Sequence, residues 1–104
     1  MNSLSRRETI ADIFKAMAHP ARLAIIEALA EKSYCVCELK EMVGSDMSMV
    51  SKHLSVLKSA GLVSDRKDGL QVFYSLKTPC VVNFIGCLEK MVRKQAQEQL
   101  TLMA

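Results

Sequence analysis

With 104 residues, half of them apolar and none of them tryptophan, the chain has the size of one small domain whose core must come from Leu, Ile, Val and Met. Its formal charge of +3, from 14 basic and 11 acidic residues, is too slight to argue for nucleic acid by itself, and no apolar run approaches the ~18 residues of a membrane helix. Four cysteines, with no export signal at the start, point to thiols in a reducing cytoplasm rather than to the disulfides of a secreted chain.

Ser5-Arg6-Arg7-Glu8 has the spacing of a capping box, and Ile10, Ile13, Phe14 and Met17 then recur on one helical face. His19-Pro20 ends this helix, and Pro20 suits the first turn of a second one. There Leu23, Ile26 and Leu29 (or Ala30) form the inward stripe, with Arg22 and Glu27 turned outward. Residues 31–34 read as a short connection. A third helix begins near Cys35 or Val36, turns Leu39, Met42 and Val43 inward, and stops at Gly44. Asp46 is placed to N-cap a fourth helix, seated on the core by Val50, Leu54 and Leu57 and stopped at Gly61.

Strands follow over 62–66 and 70–76, with Val72, Tyr74 and Leu76 on one face and Asp68-Gly69 as the hairpin signal between them. Thr78 and Pro79 are expected to open the last helix as N-cap and first helical residue. Its apolar positions, among them Val81, Phe84, Ile85, Leu88 and Met91, cover more of the circumference than packing on one side requires, and from Arg93 the chain turns polar and is expected to fray. The expected fold is therefore mainly α with a β-hairpin: one winged helix-turn-helix domain over 1–104, in which a hairpin wing sits between the fourth and fifth helices.

That order of elements is a device for placing one helix in a DNA groove. The first turn of the fourth helix offers Ser48, Ser51 and Lys52, with Met47 and Met49 nearby. Small side chains let a helix backbone approach the bases, and hydroxyls bond either base edges or phosphates. Lys52 and Lys58 suit phosphates, and Arg66 and Lys67 at the wing tip suit the backbone or the neighbouring minor groove. His53 is open to two readings, a phosphate contact or a structural group beside Leu54.

The segment VSKHLSVLKSAGLV, preceded by KAMAHPARLAIIEAL and followed by a wing ending VFYSL, resembles the ArsR/SmtB family of bacterial metal-sensing transcriptional repressors. The resemblance runs from Phe14 to about Leu88. It implies a homodimer with the first and last helices at the interface, bound to double-stranded operator DNA without metal and released from it by the effector. By motif position it assigns Met47, Ser48, Ser51 and Lys52 to the DNA.

Cys35-Val36-Cys37, at the start of a helix, is close to the family's CVC metal box, and thiolates prefer soft, thiophilic ions. Arsenite-sensing members resembling this box carry a third cysteine five residues after the first, where this chain has Lys40. Cys80 and Cys87 stand seven residues apart on the last helix, roughly 10 Å by rise per residue, and cannot chelate one ion as a local pair. The expected site therefore draws on Cys35, Cys37, Cys80 and Cys87 together, within the chain or across the dimer, with three sulfurs enough for As(III). As(III) is the first choice of effector, and Sb(III), Cd(II), Pb(II) and Zn(II) stay open; none is needed for the fold. The alternative is a metal-free redox or persulfide switch between a thiol of the third helix and one of the last. An enzyme is not expected: there is no Gly-rich phosphate loop, nucleophile–base pair or paired-acid motif.

Overall fold

The computed structural model describes residues 3–103, and its elements follow the order of a winged helix-turn-helix. Helix α1 (Ser3–Met17) ends where His19 adopts an extended backbone and its Nδ1 accepts from the amide of Ala21 at 3.0 Å. That bond caps α2 (Pro20–Glu31), whose first residue has no N–H to satisfy. Ile25, Ile26, Ala28 and Leu29 are buried in α2, a wider arc than the expected stripe, while Leu23 is half-buried and Ala30 exposed. The cause is position: α1, α3, α4, α5 and the sheet all touch this helix.

A short strand, β1 (Tyr34–Cys35), lies in the stretch expected to be a plain connection. Two residues are too few to show a period of two in sequence. Helix α3 (Val36–Val43) follows and is stopped by Gly44, whose φ of +73° is the left-handed C-cap expected there and whose N–H donates to the Lys40 carbonyl at 2.9 Å. Leu39 is fully buried, but Met42 is half-exposed because Val36, Leu39 and Val43 already fill the inward side. Helix α4 (Met47–Ser59) starts as expected: Asp46 Oδ1 accepts from the Met49 amide at 2.8 Å.

Val50, Leu54 and Leu57 of α4 have no solvent exposure and meet Ile25, Ile26, Leu39, Leu62 and Val63 in the core. Strands β2 (Val63–Asp68) and β3 (Gln71–Leu76) form the wing, and the sheet order is β1-β3-β2, antiparallel throughout. The pairing Asp68↔Gln71 makes Gly69-Leu70 the two-residue loop, one position later than the expected Asp68-Gly69. Gly69 takes φ +65° and Leu70 does not go positive, as a loop with glycine first requires.

Helix α5 (Cys80–Met103) departs from expectation at both ends. It begins at Cys80 rather than Pro79, because Val81 and Val82 donate to the carbonyls of Thr78 and Pro79 in a tight turn, and Thr78 Oγ1 is buried without the cap bond assigned to it. It continues to Met103 instead of fraying at Arg93; the Arg93–Glu89 pair at 2.6 Å and a run of good helix formers carry it on. Val81 and Ile85 rest on the core, yet no residue of α5 is buried. Among the described residues no helix is long and apolar enough to cross a membrane.

Candidate nucleic-acid interface and thiol sites

Burial divides α4 cleanly. Val50, His53, Leu54 and Leu57 face inward, while Met47, Ser48, Met49, Ser51, Lys52 and Ser55 are exposed. The Asp46 carboxylate caps the first turn, so the exposed serines and Lys52 stand on a hydrogen-bonded helix end rather than on a loop. Lys52 has no ion-pair partner among the described residues. Lys58 differs: its Nζ lies 2.9 Å from Asp65 Oδ2 of β2, a contact that raises the lysine's proton affinity and ties the base of the wing to the end of α4. In the unbound chain Lys58 is thus engaged with the wing, whereas Lys52 is not. Arg66 and Lys67 are exposed on β2 toward the hairpin end, as expected, without ion-pair partners among the described residues.

His53 resolves to the structural reading. It is 4% exposed, and its Nδ1 accepts from Arg22 Nε at 3.2 Å. Burial first, then the charges of His19 and Arg22, push its pKa below the usual histidine value. Arg22, expected to point outward, turns in and also donates from Nη1 to the Ala16 carbonyl at 3.1 Å. The sequence signal for this was faint: a histidine flanked by Lys52 and Leu54 on the border between the two faces of α4.

The four cysteines are free and differ in access. Cys35 is buried at the junction of β1 and α3, where its N–H donates to Glu38 Oε1 at 3.1 Å and its side chain faces the Glu38 amide in a capping box. The Cys35 amide holds the Glu38 carboxyl below its ordinary range. Cys37, the second residue of the same helix, is exposed, as are Cys80 and Cys87 on α5. Among the described residues of one chain, no three His, Cys, Asp or Glu side chains gather closely enough to hold a metal ion. The expected four-cysteine site is therefore not assembled within a single chain.

Cys80 lines a shallow groove of about 190 Å³ between α1 and α5, with Ile10, Ile13, Phe14, Met17 and Phe84. Phe14 and Phe84 meet edge to face at 5.7 Å between centroids, and both remain about half-exposed. Leu88, Met91 and Val92 continue this exposed apolar row along α5.

The family profile described as bacterial regulatory protein, arsR family, matches residues 19–65, from the cap of α2 to the start of the wing. An uncharacterised HTH-type transcriptional regulator of Mycobacterium tuberculosis, Rv0081, is 34% identical over 94 residues, covering 89% of this chain and 82% of the relative. Its crystal structure superposes with a TM-score of 0.78 over 96% of this chain and 99% of that one, at 33% identity. A transcriptional repressor SmtB homolog of Synechocystis is 40% identical over 78% of this chain, which spans 61% of that relative. The structure of reduced HlyU from Vibrio cholerae has a TM-score of 0.73 and 32% identity, covering 84% of this chain and 92% of that one.

Proposed function

The chain belongs to the ArsR/SmtB family of bacterial transcriptional regulators and is not an enzyme; on that premise we propose that it is a homodimeric repressor whose α4 reads operator DNA and whose thiols release it. One observation carries the reading: the first two turns of α4 expose Ser48, Ser51 and Lys52 on a helix whose other side is locked into the core. Met47 lies at the edge of that patch, and Arg66 and Lys67 add cations on the wing. The half-exposed apolar row of α1 and α5 is the surface on which the second copy would sit, giving two reading helices about one DNA turn apart. Sulfur chemistry that favours another spacing of those helices lowers operator affinity by the coupling free energy, typically ~1–3 kcal/mol.

For the effector, As(III) remains the first assignment, with Cys35, Cys37, Cys80 and Cys87 as the donor set, drawn from both subunits because one chain gathers no three-donor cluster. The same dispersal favours a second reading, a metal-free thiol redox or persulfide switch. Titrating As(III) and a polysulfide separately against the protein–DNA complex divides them. Under the metal reading As(III) releases the duplex, and Cys37→Ser keeps apo binding while losing that release; full release by polysulfide with none by As(III) gives the site to redox chemistry.

A further inference from the structure

The Arg22–His53 contact has a defined proton count. Arg22 Nε can only donate, so His53 Nδ1, 3.2 Å away, presents a lone pair and the neutral ring carries its proton on Nε2. His19 is fixed in the same way by the Ala21 amide, and its ring stands 4.5 Å from that of His53. The other arm of Arg22 holds the Ala16 carbonyl at the end of α1. One guanidinium therefore joins the last turn of α1 to the middle of α4, at the residue that follows the exposed Ser51 and Lys52 in the chain.

A second proton on His53 has no place in this arrangement. Two donors would face each other across the bond, and a buried imidazolium would lie beside a guanidinium. The charged groups that act on the ring are His19, which caps α2, and Arg22 within it. Asp12 and Lys15 of α1 line a groove of about 550 Å³ on the open side of Arg22, and Lys52 lies outward on α4 itself.

We propose that Arg22 and His53 are positioning residues that form a proton-sensitive clamp on α4: neutral His53 holds the helix in register for DNA, and protonated His53 opens the clamp and weakens binding. This rests on the reading of α4 as the DNA-contacting helix. Its direction is opposite to the simple electrostatic expectation, in which added positive charge tightens binding to a polyanion. Reciprocally, bound DNA favours neutral His53 and lowers its titration midpoint further. Fold stability follows the same sign. The unfolded chain takes up the proton near the ordinary histidine value of about 6.5 and the folded chain only at lower pH, so stability is full above that value and declines below it.

The test uses the full chain and a duplex selected from a random-sequence library at about pH 7.5, with affinity then measured at fixed salt there and at about pH 5.5. His53→Gln retains an acceptor for Arg22 and cannot take on the proton. Wild type is expected to lose about threefold in affinity on acidification, below the roughly tenfold ceiling that one histidine of ordinary pKa would allow, whereas H53Q changes by less than about 1.5-fold. Should H53Q unfold by circular dichroism, imidazole nitrogen shifts of the wild type, with and without the duplex, give the second readout: the Nε2–H tautomer, and a midpoint lowered by DNA. An equal acid loss in H53Q, a wild-type affinity that is flat or rises toward acid, or a midpoint unmoved by the duplex overturns the clamp. Failure to select any duplex overturns the operator reading, and the clamp with it.

Discussion

Two lysines on one helix, six residues apart, have different fates. Lys58 is drawn to Asp65, whereas Lys52 keeps its ammonium in solvent beside Ser48 and Ser51. Lys52→Ala is therefore expected to weaken operator binding across sequences and to reduce the slope of log affinity against log salt by about one, the signature of one lost phosphate contact. An unchanged slope would move the phosphate contact elsewhere. The cysteines divide in the same manner. Cys37 meets reagents directly, whereas Cys35 is buried at the start of α3, so chemistry at its sulfur first requires that junction to open. Residue type alone made Ser48, Ser51 and Lys52 legible as candidates. It could not show that Arg22 turns inward, because that depends on a histidine 31 positions away.

Among the elements, sequence legibility followed the strength of the local signal. The Asp46 cap, the Gly44 stop and the Val50, Leu54, Leu57 seam of α4 are local features, and each lies where it was expected. β1 was missed because its two residues pair with Tyr74 and Phe73, far along the chain. The boundaries of α5 were misjudged because Thr78 and Pro79 look like a helix start while their carbonyls are used in a preceding turn. At Gly44 the backbone explains the choice of residue: φ is +73° and nothing lies within 4 Å of where a Cβ would stand. Gly44→Ala should thus cost about 1 kcal/mol through backbone strain alone, lowering the melting temperature by about 5 °C. A melting temperature within error of wild type would show that the turn between α3 and α4 can relax at no cost.

The molecule as a whole is elongated. Its radius of gyration of 16.2 Å exceeds the ~13 Å of a compact chain of this length, and its principal extents are 56 × 41 × 22 Å. The family resemblance implies terminal helices at a dimer interface, and α5 is long, continuous through its polar tail, and buried nowhere along its length. Phe84→Glu, which puts a carboxylate beside Phe14, is expected to shift the chain to monomer in sedimentation and to weaken operator binding while leaving the helical content intact. A mutant that stays dimeric would place the interface elsewhere. Under the proposed pairing, a helix with so little of its own fold beneath it also gives dosage a regulatory role. Below the midpoint of pairing, the competent species grows as the square of the chain's abundance. Dilution during growth would then lift repression ahead of any encounter with an inducer, and a burst of synthesis would restore it more than in proportion.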